Sequence, residues 1–202
     1  MNIAIFVSGR GSNLKAILND PDLKEIIKVI AVVSDKFDCK AFEIAHEFGI
    51  ETYIIGDGDN KINAEQLTKK LLDLNVSLIV LAGYLKLIPD VLIKSFVNRM
   101  INIHPALLPS FGGKGMYGIN VHKAVFESSA KVSGATVHLV DSSYDTGKII
   151  AQQCVDISDV ASPEEIAERV LKIEHQILPE VIKAFALNKI KIVSNRIEII
   201  KE

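Results

Sequence analysis

Residues 3–13 read IAIFVSGRGSN, an apolar run that passes into a glycine-rich turn and then into a helix-like pattern beginning at Ser12. The apolar run is too short for a membrane span and lacks the basic start of a signal peptide, so it predicts a buried strand. Where a strand enters a helix through such a turn, backbone N–H groups and the positive end of the helix converge. The stretch therefore predicts the first β-α unit of an α/β fold, with a phosphate site at the turn. The alternative is a plain tight turn that needs glycine.

Strand-like and helix-like segments alternate along most of the chain. Apolar runs over residues 27–33, 78–82 and 100–103 predict further strands. These runs are apolar at nearly every position, which is typical of a parallel sheet covered on both faces. The predicted helices span residues 12–19, 39–48, 63–74, 118–127 and 163–187. We therefore expect an α/β fold of three layers, in which a mostly parallel central sheet carries helices on both faces.

The second half of the chain adds a different pattern. Residues 136–140 and 149–153 alternate more strongly across a turn-rich loop, which predicts late antiparallel strands. Residues 190–193 and 197–200 predict either a terminal hairpin or two short edge strands. The glycine-rich stretch 112–118 is typical of a mobile loop beside a site rather than a domain boundary. A single domain over residues 1–202 is therefore expected.

Composition limits the classes of function. The chain has 202 residues, 49% hydrophobic and 24% charged, as expected of a globular protein that buries its own core. Its formal net charge is −2, from 23 basic and 25 acidic side chains, which disfavours nucleic acid and favours small-molecule substrates. No run approaches a membrane span, so we expect no membrane partner and a cytoplasmic location. Cys39 and Cys154 stand far apart, which predicts two buried free thiols.

The glycine-rich turn departs from two well-known nucleotide motifs. A dinucleotide fingerprint needs a third glycine where Leu14 stands, although Asp35 ends the second strand suitably. The Walker pattern is absent as well. These departures disfavour a nicotinamide cofactor and leave a phosphate site without a recognised nucleotide motif.

Candidate catalytic groups follow the fourth predicted strand. Asn102 and His104 share one face of that strand, and an amide donor beside an imidazole suits stabilisation of negative charge on a carbonyl oxygen, as in acyl transfer. The alternative for His104 is a structural hydrogen bond at a strand end. Asp141 and Asp145, in the loop 141–147, supply carboxylates that can pair with His104, raise its pKa and relay a proton. The alternative is that both are turn residues bonded to the backbone.

The remaining histidines predict no metal site. His46, His122 and His138 lack partners at ligand spacing. The pair Glu174-His175 lies inside the long last helix, where such a pair usually forms a solvated face. We therefore expect no bound metal.

Five motifs occur in a fixed order: the turn at 8–13, AGYLK at 82–86, NIHPALLP at 102–109, DTG at 145–147 and EH at 174–175. Together they resemble the glycinamide ribonucleotide formyltransferase family. The resemblance covers the chain from Ile3 to about Leu187, and NIHPALLP is its most specific part. It implies a Rossmann-like formyltransferase fold. It also implies transfer of a formyl group from the co-substrate 10-formyltetrahydrofolate to the amine of 5-phosphoribosylglycinamide, a step of de novo purine biosynthesis.

The resemblance implies a role for each matched residue. Asn102 and His104 bind the formyl oxygen and stabilise the tetrahedral oxyanion, while Asp145 keeps His104 protonated and helps to move the proton of the amine. The residues implied for the ribonucleotide are Gly11, Ser12 and Asn13 at the phosphate and Glu174 at the glycinamide end. The residues implied for the folate are Leu85, Lys86, Leu87, Ile88, Asn102, Asp141, Tyr144 and Asp145.

The sequence also departs from the family pattern. Lys86 stands where some relatives have arginine, which matters little if the main chain makes the contact. Gly112 replaces an expected proline, which puts the rigidity of the loop in doubt and not the chemistry. Lys61 is a possible cation near the phosphate or the folate tail and receives no assignment.

Three other functions stay open at this stage. A formyltransferase acting on a different amine, such as the catalytic domain of methionyl-tRNA formyltransferase, shares the Asn, His and Asp trio but should carry a further RNA-binding domain. A formyltetrahydrofolate hydrolase should carry a regulatory domain before Met1. A non-catalytic nucleotide-binding module can use the same fold. The expected assembly is a monomer or a homodimer.

Overall fold

The computed structural model describes residues 1–200. The strands are β1 (Asn2–Phe6), β2 (Lys28–Ser34), β3 (Glu51–Ile54), β4 (Leu78–Leu81), β5 (Met100–His104), β6 (Val132–Leu139), β7 (Ile149–Asp156), β8 (Ile190–Val193) and β9 (Arg196–Ile199). The helices are α1 (Ser12–Asn19), α2 (Pro21–Lys24), α3 (Ala41–Glu47), α4 (Ala64–Asp73), α5 (Asp90–Ser95), α6 (Ile119–Glu127) and α7 (Pro163–Ala186).

The described chain divides into two compact units, the first ending at Asn102 and the second beginning at Ile103. In the first unit, parallel strands lie in the order β3-β2-β1-β4-β5. Every residue of β4 is buried, as is β1 from Ile3 onward. Burial on alternating sides of a strand means that both faces of these strands are covered.

The second unit is built on the antiparallel pair of β6 and β7 and on the long helix α7. Ser162 caps α7, since its hydroxyl accepts the N–H of Glu165, and Pro163 occupies the first turn. The strands β8 and β9 form a separate antiparallel pair, which is the terminal hairpin. The alternative of two edge strands on the main sheet does not hold.

The predicted α/β class with a mostly parallel central sheet is confirmed, as are the late antiparallel strands. The segments β3, α2 and α5 were not predicted, because each is too short to show a clear period. The expectation of two buried thiols is wrong for Cys154, which is exposed, while Cys39 is buried. A free cysteine usually behaves as a small apolar residue and is buried, but β7 is exposed to solvent at this position.

Candidate active site

His104 ends β5 and its side chain is buried, with 3% of the residue exposed. Its Nε2 lies 2.9 Å from the carbonyl oxygen of Phe111. A carbonyl oxygen can only accept, so Nε2 carries a proton and donates it. The other ring nitrogen, Nδ1, lies 3.5 Å from Oδ2 of Asp145. The structure thus brings together His104 and Asp145, as the sequence predicts.

Asp145 lies in the loop between β6 and β7, with a backbone φ of 58°. This left-handed conformation is uncommon for residues other than glycine, although aspartate and asparagine adopt it more often than most. The Oδ2 atom accepts the N–H of Gly113 at 2.9 Å, and Oδ1 lies 3.6 Å from Nε2 of His138. The loop therefore aims this carboxylate at two histidines and one backbone donor.

His138 is the site residue that sequence reasoning missed. It is 2% exposed near the end of β6, and its Nδ1 lies 2.8 Å from the carbonyl oxygen of Leu139, so Nδ1 is the donor. From the sequence alone, His138 was considered only as a metal ligand, and no partner stands at the spacing that metal ligands need. The available signal was a polar residue in an apolar strand directly before the aspartate-containing loop.

Electrostatics around His104 differ from the sequence expectation. Burial lowers the pKa of His104, and although Asp145 and the Phe111 carbonyl raise it, the net shift is downward. Burial raises the pKa of Asp145, but its contacts with His138, His104 and the Gly113 N–H lower it more, and the net shift is downward. The resting pair is therefore a neutral imidazole with its proton on Nε2 beside an ionised carboxylate.

His122, on α6, is a buried histidine whose Nδ1 has no hydrogen-bond partner among residues 1–200. Burial, and to a smaller degree the charge of His104, lower the pKa of His122 to about 4. In the unfolded chain a histidine titrates near 6.5. Between these two pH values the unfolded state binds more protons, so stability falls as the pH falls.

We expect this effect to appear as a difference between the wild-type protein and His122→Gln. From about pH 7 to about pH 4 the wild-type protein should lose on the order of 3 kcal/mol more free energy of unfolding than the variant, because only the wild type carries this shifted group. Urea unfolding at both pH values measures it. Equal losses in the two proteins would mean that His122 is protonated in the folded state.

The glycine-rich turn leads into α1 in the first unit. Gly11 precedes the helix with a φ of 76°, and a Cβ atom there would lie 2.7 Å from the Cβ of Ala41. Only glycine fits this position, for conformational and for steric reasons. Ser12 is exposed and Asn13 is buried. Gly11, as the cap residue, has no side chain that could bind the first N–H groups of α1, which suits an anion.

A polar link joins this turn to the segment that follows β4. The Ser8 hydroxyl donates to Oδ1 of Asp35 at 2.6 Å and accepts the N–H of Leu85 at 3.0 Å. Within the segment 85–88, Lys86 and Leu87 are exposed and Ile88 is buried. The N–H of Leu85 therefore already donates to Ser8, whereas Lys86 and Leu87 are exposed.

The other predicted site residues take ordinary local positions. The Asp141 carboxylate accepts the Thr146 hydroxyl and the N–H of Ser143, which ties the loop to itself. Tyr144 is exposed and Glu174 is half-buried on α7. Asn102 is half-buried and stands two positions before His104 in β5. Asp141 thus makes the turn contacts of its alternative interpretation.

The arrangement around His104 can donate a hydrogen bond to a carbonyl oxygen in a site from which water is largely excluded. Such a donor is strengthened by low local dielectric and stabilises negative charge that develops on oxygen. In the present conformation the Phe111 carbonyl accepts this bond. For another oxygen to accept this bond, it would have to take the place of that carbonyl.

Within residues 1–200, no group of three or more His, Cys, Asp or Glu side chains is placed to hold a metal ion. No helix in that range has the length and apolar character needed to cross a bilayer.

A family model described as formyl transferase matches residues 1–182. The chain belongs to this formyl transferase family. Among its formyl transferase relatives, the phosphoribosylglycinamide formyltransferase of Bacillus subtilis is 40% identical over 186 residues, which cover 89% of this chain and 92% of that protein. The chloroplastic phosphoribosylglycinamide formyltransferase of Arabidopsis thaliana is 43% identical over 196 residues and 94% of this chain, which spans only 66% of that relative.

A solved structure agrees with this formyl transferase membership. The crystal structure of phosphoribosylglycinamide formyltransferase from Anaplasma phagocytophilum superposes with a TM-score of 0.89 at 29% identity, covering 100% of this chain and 95% of that one. The family that the five motifs resemble is therefore confirmed by whole-chain similarity.

Proposed function

We propose that this protein transfers the formyl group of 10-formyltetrahydrofolate to the amine of 5-phosphoribosylglycinamide, giving the N-formyl product and tetrahydrofolate in purine biosynthesis. The observation that carries the proposal is the buried imidazole of His104, whose Nε2–H donates to the Phe111 carbonyl and whose Nδ1 lies 3.5 Å from Oδ2 of Asp145. The relatives from Bacillus subtilis and Arabidopsis thaliana, both named phosphoribosylglycinamide formyltransferase, support the same substrate.

The catalytic roles follow from the donors and acceptors. Nε2–H of His104 and the amide of Asn102 donate to the formyl oxygen, where negative charge develops as the amine attacks. Asp145 stabilises the imidazolium that forms whenever His104 takes up a proton. The amine loses one proton and the departing folate nitrogen gains one, so His104 and Asp145 relay a proton without net uptake or release.

The folate supplies an activated formyl group when it is bound. The exposed residues Lys86 and Leu87 and the loop from Asp141, whose carboxylate accepts the Thr146 hydroxyl, suit a flat heteroaromatic ring that binds preformed polar groups. Leu85, Ile88 and Tyr144 would form the apolar walls. Because its own N–H binds Ser8, Leu85 contributes its side chain and its carbonyl group.

The ribonucleotide uses two separate groups. Its phosphate is held by the uncapped N–H groups that follow Gly11, with the side chains of Ser12 and Asn13 beside them. The carboxylate of Glu174, carried on the rigid helix α7, binds the amine end. This assignment gives the anion site that the turn predicts from sequence alone a specific ligand, the phosphate of the ribonucleotide.

We also propose a cytoplasmic enzyme without a resident metal, without nucleic acid or membrane partners, organised as one domain and present as a monomer or homodimer. The bacterial relative of similar length supports this setting. Sedimentation of the purified protein distinguishes the two assemblies.

The deciding experiment is a spectrophotometric assay of the purified protein with a 10-formyl folate donor and 5-phosphoribosylglycinamide. Turnover that depends on both substrates is the expected result. A parallel reaction without the amine measures hydrolysis of the donor. Binding of the folate without formylation of this amine would overturn the assigned acceptor, and donor loss without an amine would indicate a hydrolase.

A further inference from the structure

A hydrogen-bond network in the second unit holds the segment that directly follows His104. Thr136, on β6, is 0% exposed. Its hydroxyl donates to the carbonyl oxygen of Ala106 at 2.6 Å and accepts the N–H of Leu108 at 3.1 Å. The Thr136 hydroxyl thus forms hydrogen bonds with two main-chain groups that lie two residues apart.

Gln152, on β7, completes the network. Its Nε2 donates to the carbonyl oxygen of Leu108 at 2.8 Å and to the Thr136 hydroxyl at 3.0 Å. The hydroxyl of Thr136 therefore gives its one proton and uses both lone pairs, which is its full capacity. We call these two side chains and their four hydrogen bonds the Thr136–Gln152 clamp.

The shape of the β6 surface agrees with this close approach. A Cβ atom at Gly134 would lie 2.8 Å from Cδ2 of Leu107 and would overlap the carbonyl oxygen of Gln153. A larger residue at position 134 would therefore overlap the main chain of β7 and crowd the side chain of Leu107. The side chain of Leu107 thus packs closely against β6, between the two residues whose main chain the clamp binds.

The clamped segment, residues 106–108, connects His104 to the main-chain groups that contact the two catalytic side chains. It begins after His104 and leads to Phe111, whose carbonyl receives the Nε2–H, and to Gly113, whose N–H binds Asp145. A shift of residues 106–108 would move the partners of both catalytic side chains. A displacement of a catalytic group by about 1 Å can reduce turnover about 100-fold.

We propose that Thr136 and Gln152 are positioning residues for His104, acting through the main chain of residues 106–108. Neither residue touches the reacting atoms. The proposal rests on the proposed function for its kinetic test. It predicts that the clamp controls turnover and has little influence on substrate binding.

The test uses four variants of the full chain. Thr136→Val keeps the shape and removes the hydroxyl, and it should lower kcat on the order of 10- to 100-fold while KM for each substrate changes less than about threefold. Gln152→Ala should lower kcat by about fivefold, because one residue of the clamp remains. Thr136→Ser, which keeps the hydroxyl, and Gln153→Ala, which lies on the opposite side of β7, should retain wild-type turnover.

A second measurement does not depend on substrate. The ¹⁵N resonances of the His104 ring report the Nε2–H hydrogen bond, and they should shift in Thr136→Val and Gln152→Ala but not in Gln153→Ala. Folded Thr136→Val and Gln152→Ala proteins with wild-type kcat and unchanged His104 resonances would overturn the proposal. If Thr136→Val does not fold, Gln152→Ala decides, since Gln152 is exposed. If the wild type does not formylate this amine, the proposed function fails, and the ring resonances still test the clamp.

Discussion

Replacing His104 with alanine is expected to lower kcat/KM by about 10²- to 10⁴-fold. In the proposed mechanism, the substitution removes the buried Nε2–H that donates to the developing oxyanion. It also removes the imidazole that contacts both Phe111 and Asp145. Steady-state assays with both substrates at several concentrations measure the loss. Most of it should appear in kcat, because the interaction strengthens in the transition state.

The matched control for this variant is His46→Ala. His46 is an exposed histidine on α3 whose Nε2 lies 3.4 Å from the Thr52 hydroxyl. It should show wild-type turnover. An His104→Ala protein that is folded and retains activity within a factor of about three would exclude the assigned role.

Asp145→Asn is expected to lower kcat by about 10²- to 10³-fold with the loop intact, because the amide can still accept the Gly113 N–H. The variant removes the negative charge that raises the pKa of His104. With that contribution gone, burial dominates further and the pKa of His104 should move to a still lower value. The imidazolium then forms less readily during transfer.

Two measurements separate this charge effect from a general disturbance. A titration of the His104 ring by NMR should show the downward pKa shift, and the acidic limb of the kcat/KM profile should move to lower pH. Asp159→Asn removes an exposed carboxylate that pairs with Arg169 and serves as control, with neither change expected. An unchanged or raised His104 pKa in Asp145→Asn would contradict the arrangement.

Local sequence rules predicted the helices and strands whose signals are strong. The helix α1 has the predicted bounds, because Gly11 fixes its start and the apolar period of its residues is clear. The helix α7 begins at Pro163 as predicted, since the Ser162 cap and the proline act within one turn. Each of these signals involves residues that are neighbours in the chain.

Errors arose where the outcome depended on packing. Cys154 was expected to be buried, yet it lies on the exposed side of β7. His138 was set aside because no partner stands at a fixed spacing, although the fold places it beside Asp145. Asp145 was expected to hold His104 in its charged form, and only the burial of the ring decides that the net pKa shift is downward.

The sequence by itself determined the α/β pattern and the glycine-rich turn, and it predicted an anion site and the catalytic candidates, because periodicity, caps and motifs are properties of adjacent residues. The tertiary structure alone decided which groups meet at His104 and how its proton is held. Phe111, Gly113, Thr136 and Gln152 contribute through backbone contacts or through hydrogen bonds across strands. Such contacts carry no residue-type signature at a fixed spacing, since main-chain donors and acceptors are the same in every residue.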